Sequence, residues 1–433
     1  MSGLLIAAPS SGSGKTTLTL GLLRALRDRG VDVAPGKAGP DYIDPAFHAA
    51  ASGKTCFNFD PWGMRPSYLT SLAASHGAGR HFIVEAMMGL YDGAADGSGA
   101  PADLAALLGL SVVLVVDCAR ISHSVAALVS GYRGYRSGVS VEGVILNRVG
   151  STRHEAMLRQ ALDGVGMPIF GVVYQDALLQ LPERHLGLVQ AGEHATLETF
   201  ISHAADVVAR CCNLDALQAL SVSGGVHADH AVASIPPLGN RIAVARDQAF
   251  AFSYAHLLEG WRAAGSEIEF FSPLADEGPS EACDAVYLPG GYPELHAGRL
   301  AANAAFRKGM ADAAARDAAI YGECGGYMVL GDGLIDAGGA RHAMLGLLPL
   351  VTSFAARKRH LGLRTVTPLP GSPFAEPMRA HEFHYSTVVE EGQADRLFTA
   401  CDAAGEDMGT FGLRRGNVAG SYLHLIDLAE AQA

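Results

Sequence analysis

"APSSGSGKTT", residues 8–17, follows the apolar run "GLLIAAP" and opens "TTLTLGLLRALRDRG", whose apolar residues recur every three or four positions. A strand, a glycine-rich turn and a helix in that order form a cradle for phosphate. Gly12 and Gly14, with Ser13 between them, let backbone N–H groups converge on phosphate oxygens. Lys15 reaches the outer phosphates, Thr16 offers its hydroxyl to Mg²⁺, and Thr17 follows within the same turn. The strict form of the loop has glycine five residues before Gly14; Pro9 stands there, so the loop is a variant.

Outward from this loop, short apolar runs alternate with amphipathic stretches as far as about residue 215. "VDVAPGK", "HFIVEAM", "SVVLVVDC", "VEGVILN" and "MPIFGVV" read as buried strands, while "PADLAALLG", "HSVAALVSGYRGY" and "RHEAMLRQALDGVG" read as helices. Such alternation predicts an α/β fold, a doubly wound parallel sheet with helices on both faces. Periodicity is lost in the Ser-, Gly- and Pro-bearing stretch 219–239, which reads as a linker between a domain at 1–218 and a second at 240–433. The second half alternates again but carries more adjacent β-like runs in its last third, so its sheet is expected to be mixed.

A chain of 433 residues with 49% hydrophobic content has material for two cores. Its formal charge of −12 argues against a general nucleic-acid binder, and an anionic ligand would need local cations. The seven cysteines are odd in number and lack CxxC spacing, which fits free thiols in a reducing compartment. With no signal-peptide pattern and no run long enough to span a bilayer, the expectation is a cytoplasmic protein with neither nucleic-acid nor membrane partners.

Carboxylates gather where a phosphate cradle needs them, at the carboxyl ends of strands. Glu85 ends "HFIVE", Asp92 follows in "MMGLYDG", and "GKAGPDYIDP" places Asp41 and Asp44 after the second strand. Asp117 ends another strand and reads either as a metal-binding aspartate or as a turn residue. Asn147, in "VILNRVG", stands where an amide can read a purine edge.

In the second half, "IYGECGGYMVLG" puts Cys324 between small residues at a strand-to-helix turn, the setting of a nucleophile elbow, where the helix start is expected to lower the thiol pKa. His424, in "GSYLHLID", is the candidate base, and Gly290 and Gly291, in "YLPGGYPE", offer N–H groups to an oxyanion.

The order "LPGGYPE", "YGECGGYMVLG", "SYLH" resembles a class I glutamine amidotransferase domain. The first half resembles the dethiobiotin synthetase-like P-loop family. "GPDYIDP", "VEAMMGLYDG", "LPERHLGLV" and "MRAHEFHYS" match the cobyrinic/hydrogenobyrinic acid a,c-diamide synthase family, over nearly the whole chain. The resemblance implies a P-loop domain fused to a class I glutaminase-like α/β domain. It also implies ATP- and glutamine-dependent amidation of the a and c carboxylates of a corrin-ring polycarboxylate in cobalamin biosynthesis. Thr16, Asp41 and Glu85 become the Mg²⁺ candidates, Asp44 and Asp92 position substrate or ammonia, and Asn147 reads adenine. Tyr42, His381 and His384 are substrate candidates, and Arg357, Lys358, Arg359 and His360 are further cations. Cys324 would form a thioester with His424 as its base, and ammonia would pass between domains. Related domains carry a glutamate two residues after the histidine; Ile426 occupies that place, and no orienting residue is assigned. A cobyric acid synthase-type amidase and a P-loop partitioning ATPase are the competing readings, and a homodimer is the assembly considered.

Overall fold

The computed structural model describes residues 3–180, 183–184, 187–188, 190–193, 196–220 and 232–430. The chain divides into two compact units: residues 1–62 with 66–232, and residues 63–65 with 233–433. The expected linker at 219–239 overlaps the end of the helix Leu214–Leu220, has residues 221–231 outside the described residues, and has no helix or strand over 232–239. The "LPERHLGLV" stretch also lies largely outside them. Among the described residues no helix is long and apolar enough to cross a membrane.

The first unit is built on seven parallel strands in the order Phe57–Phe59, Val33–Ala38, His81–Glu85, Gly3–Ala7, Ser111–Asp117, Ser140–Val149, Ile169–Tyr174. Gly3–Ala7 is buried throughout, as a central strand covered on both faces must be. The chain order reverses beside this strand, and a doubly wound sheet opens its crevice at that point. The helix Lys15–Asp28 buries Leu18, Leu22 and Leu26. It packs so closely on the helix Leu197–Cys211 that a Cβ on Gly21 would stand 2.6 Å from the Ala204 carbonyl oxygen. Arg24, buried on the same helix, grips Glu198 through two hydrogen bonds of 2.5 and 2.9 Å.

The second unit holds a ten-stranded mixed sheet. Glu267–Phe271, Arg241–Ala245, Ala285–Leu288, Ala319–Glu323 and Val418–Ser421 run parallel. Asp407–Arg415, Asp395–Asp402, His360–Pro368, Met378–His384 and Leu423–Leu428 continue it antiparallel. The strands Val418–Ser421 and Leu423–Leu428 are separated by Tyr422 alone, yet they take the fifth and tenth places. The antiparallel half must therefore curl back on the parallel half. The β-like run "FHYSTVVEE" is broken at Tyr385–Ser386, so Met378–His384 and Thr387–Glu391 lie in different sheets.

Residues 63–65, read from the sequence as part of the first domain, cluster with the second unit. Their anchor is Arg65, whose guanidinium meets both oxygens of the fully buried Asp427 at 2.9 Å while its backbone N–H donates to Oδ2 at 3.0 Å. Removing one partner of such a pair leaves an uncompensated buried charge. Arg65→Met is expected to destabilise the second unit by about 3–5 kcal/mol, measured by denaturant unfolding; a change below about 1 kcal/mol would show that Asp427 does not depend on it.

Candidate functional site

The glycine-rich loop closes as the sequence requires: Gly12 and Gly14 have φ of 77° and 89°, values a Cβ would strain. Gly14 is also confined from the side, since a Cβ there would stand 2.3 Å from Asn147 Nδ2. That amide donates one N–H to the Ser13 carbonyl at 2.9 Å and so pins the loop. Lys15 donates to the Met88 and Ser10 carbonyls at 2.6 and 3.3 Å, and Thr17 donates to the Leu179 carbonyl at 3.4 Å.

A cleft of about 700 Å³ opens over the loop, lined by Lys15, Thr16, Asp41, Asp44 and Glu85 and by two residues the sequence reading missed, Lys37 and Arg148. Thr16 Oγ1 donates to Glu85 Oε1 at 2.6 Å and lies 3.4 Å from Asp44 Oδ2. Lys37, buried at a strand end, donates to Asp44 Oδ2 at 2.5 Å and Glu85 Oε1 at 2.9 Å. The remaining Glu85 oxygen meets His48 Nε2 at 2.6 Å. Burial by itself would raise Glu85, but Lys37, His48 and the Thr16 hydroxyl together hold it far below the usual carboxylate range. Asp44 is pushed up to about 6 by burial and by Asp41, against the pull of Lys37. Burial lowers the Lys15 ammonium, with Glu85 opposing.

The other candidate acids are engaged differently. Asp41 Oδ1 accepts N–H bonds from Ile43 and Asp44 at 2.8 and 3.0 Å, so its carboxylate caps the helix Asp44–Ser52 from the edge of the cleft. Exposed Asp92 takes the Gly89 N–H at 2.9 Å and closes the turn after Glu85. Asp117 is held by Arg148 at 2.7 Å and the Ala119 N–H at 2.9 Å. The oxygens that stand together are thus those of Thr16, Asp44 and Glu85. Hard oxygen donors at this spacing suit Mg²⁺, which takes few protein ligands and completes its shell with phosphate and water.

In the second unit Cys324 ends the strand Ala319–Glu323 with φ 46° and ψ −103°, a strained conformation typical of a residue thrust out of a turn. The crowding explains its glycines: a Cβ on Gly326 would fall 2.0 Å from the Leu288 carbonyl oxygen, and one on Gly325 would fall 2.9 Å from the Gly291 amide nitrogen. The curled sheet delivers His424 to the same place. A Cβ on Gly290 would stand 2.4 Å from His424 Cε1 and 3.3 Å from Cys324 Cβ. Cysteine, histidine and the Gly290–Gly291 turn therefore converge, although they lie on three separate strand ends.

The expectation of a lowered thiol pKa fails. Burial and the nearby Glu294 push Cys324 up, and the Gly325 N–H offsets only part of this, because the helix Gly325–Leu330 is one short turn and a half. His424 moves the other way: burial, reinforced by His381 and His384, drives its imidazole well below the ordinary value and keeps it neutral. A neutral thiol beside a neutral imidazole is a nucleophile with its base ready to take the proton.

His381 pairs in register with His424, and His384 stacks on Tyr422 with centroids 3.7 Å apart. Both are buried. Arg357, Lys358 and Arg359 are exposed, and Tyr42 is half-buried beside Asp41. His360, Glu382 and His384 bring ligand atoms within 4.8 Å of one another. Both Glu382 oxygens are already engaged, Oε2 by Arg364 at 2.7 and 3.1 Å and Oε1 by His384 Nε2 at 3.2 Å.

Known families match both units of the chain. Residues 4–189 match the CobQ/CobB/MinD/ParA nucleotide binding domain and residues 241–432 the CobB/CobQ-like glutamine amidotransferase domain. The chain is 68% identical to the hydrogenobyrinate a,c-diamide synthase of Sinorhizobium sp, with all of both chains covered. It is 66% identical to that of Rhizobium meliloti over 99% of this chain and 100% of the relative. Against that of Rhodobacter capsulatus the identity is 52% over 98% of each.

The convergence at Gly290 yields a test. Gly290→Ala must displace the His424 ring, and a misplacement of about 1 Å costs on the order of 10²-fold in rate. Glutamate release from glutamine should fall by about that factor, with the melting temperature close to that of the parent protein. An unchanged rate would mean that His424 does not act from this position.

Proposed function

The chain belongs to the hydrogenobyrinate a,c-diamide synthase family, and from that premise we propose that it amidates the a and c carboxylates of hydrogenobyrinic acid, drawing nitrogen from glutamine and energy from ATP. The observation that carries this reading is full-length identity of 52–68% to synthases of that name, spanning both the phosphate-loop unit and the cysteine–histidine unit. The names of these relatives favour the metal-free ring over cobyrinic acid. They also weigh against the two competing readings, since a partitioning switch has no use for the second unit.

A carboxylate resists attack by ammonia until one oxygen becomes a leaving group. In this mechanism a ring carboxylate takes the γ-phosphoryl group of ATP, giving an acyl phosphate and ADP. Ammonia then attacks the carbonyl carbon and phosphate leaves. Lys15, released from the Met88 carbonyl, would meet the charge on the β- and γ-phosphates. Thr16, Asp44 and Glu85 are the residues that would hold Mg²⁺, whose charge when bound offsets that of the phosphates. Lys37 keeps Asp44 and Glu85 in place beneath them, and Asn147 acts on the nucleotide through the loop it pins.

Ammonia is made in the second unit. His424 Nε2 takes the Cys324 proton as sulfur attacks the amide carbon of glutamine, the N–H groups of Gly290 and Gly291 hold the oxyanion, and the imidazolium protonates the departing nitrogen. Water then cleaves the thioester to release glutamate. Ammonia must reach the acyl phosphate neutral, since ammonium is no nucleophile.

The proposal is tested by incubating the protein with ATP, Mg²⁺ and glutamine and with each of the two ring acids, then weighing the products. Two added amides on hydrogenobyrinic acid are expected; amidation of cobyrinic acid alone would overturn the substrate assignment. Cys324→Ser should lose glutamine-driven synthesis by about 10³-fold or more while keeping ammonium-driven synthesis. Loss of both would refute the division of labour between the units.

A further inference from the structure

His424 must hold one ring orientation through the reaction, yet the neighbour two residues on, Ile426, is apolar and buried. Asp427, beside it, is committed to Arg65. The partner stands instead on the strand that carries the nucleophile. Glu323 Oε2 lies 3.8 Å from His424 Nδ1, both side chains being about 1% exposed. The same carboxyl group is fixed on its other sides. Tyr287 donates its hydroxyl to Oε2 at 2.8 Å, and the N–H of Leu425, the residue after His424, donates to Oε1 at 3.2 Å. One side chain therefore reaches both the ring and the backbone of the strand Leu423–Leu428. Its own backbone is tied alongside, since Glu323 pairs with Ser421 and the Cys324 N–H donates to the Ser421 carbonyl at 2.8 Å.

We propose that Glu323 is the positioning residue for His424: it holds the Nδ1 edge of the imidazole, so that the Cε1–Nε2 edge is presented to Gly290 and Cys324, and it stabilises the imidazolium formed when the thiol gives up its proton. This inference rests on the reading of the second unit as a glutaminase. The separation of 3.8 Å is longer than a hydrogen bond, as such contacts often are before substrate is bound. A small turn of the ring closes it, and imidazolium formation supplies the attraction. Sequence inspection passes over the residue because it precedes the cysteine and so looks like part of the elbow, whereas a strand's alternation turns its side chain away from the cysteine's, toward the returning strand.

The titratable groups acting on the carboxyl are the Tyr287 and Tyr321 hydroxyls, the His424 ring and the Cys324 thiol. Burial pushes Glu323 up to about 8 against the hydrogen bonds from Tyr287, Leu425 and Tyr321. The carboxylate fraction therefore grows as pH rises through about 8, and with it the capacity to stabilise an imidazolium.

The test uses the full-length protein with ATP, Mg²⁺ and hydrogenobyrinic acid and measures glutamate release from glutamine between pH 6.5 and 9, a range set about the Glu323 value near 8. Wild-type kcat should rise through about pH 8. Glu323→Gln should lower kcat by about 10- to 100-fold, remove that rise and leave the KM for glutamine within about twofold. Glu323→Asp should restore part of kcat together with the pH rise; it also decides the matter should the glutamine variant fail to fold. A Glu323→Gln kcat within about twofold of wild type, a loss confined to KM, or an aspartate variant that folds but recovers neither rate nor pH dependence would overturn the assignment. Failure of the glutaminase reading itself is seen separately, as a wild-type protein that releases no glutamate.

Discussion

Lys37 carries the charge that lets Asp44 and Glu85 stay buried beside the phosphate loop. Two carboxylates taken from water without a counter-charge would each cost several kcal/mol and would protonate instead. With the ammonium 2.5 and 2.9 Å away, Glu85 stays ionised, accepts the Thr16 hydroxyl and fixes the start of the helix that the loop feeds. His48, from the helix Asp44–Ser52, takes the other Glu85 oxygen and ties that helix to the same strand end. The floor of the cleft is thus a single charged network, and the oxygens suited to a divalent ion are presented by residues that are already rigid.

The second unit meets the same cost of buried charge by the opposite means. Around Cys324 burial, with the Glu294, Glu323 and Glu382 carboxyls, raises the thiol, and burial keeps thiol and imidazole neutral at rest while it raises the Glu323 carboxyl. Sulfur, imidazole and oxyanion then develop charge together as the reaction proceeds, within reach of the Gly290–Gly291 turn. A phosphate site must be charged before its ligand arrives; a thioester site works better if it is not. The two halves of the chain follow that difference.

Several parts of both sites were readable one residue at a time. Gly12, Gly14, Lys15 and Thr16 were legible because a phosphate loop is a local object whose spacing is its geometry. Cys324 and the Gly290–Gly291 turn were legible because small residues around a strand end signal a tight approach, and the contacts made by hypothetical Cβ atoms there give the reason. Lys37 was not, since a lysine inside a strand usually snorkels to solvent and only the three-dimensional partners justify its burial. Asp41 and Asp44 looked interchangeable in "GPDYIDP". Their difference lies in the helix that starts between them, which turns one carboxylate to the backbone and the other toward Thr16.

The sequence by itself determined the two α/β halves, the phosphate loop, the nucleophile and the family, because each is written in local periodicity, in the spacing of a few residues or in long identity. Tertiary structure alone decided what meets what. Asn147 reaches the loop from a strand 134 residues away, and residues 63–65 are claimed by the second unit through Arg65 and Asp427. His424 arrives beside Cys324 because one residue, Tyr422, separates two strands at distant places in a sheet that curls back. The reason is physical: pairing across a sheet and the compensation of buried charge depend on distance in space, which no spacing along the chain encodes.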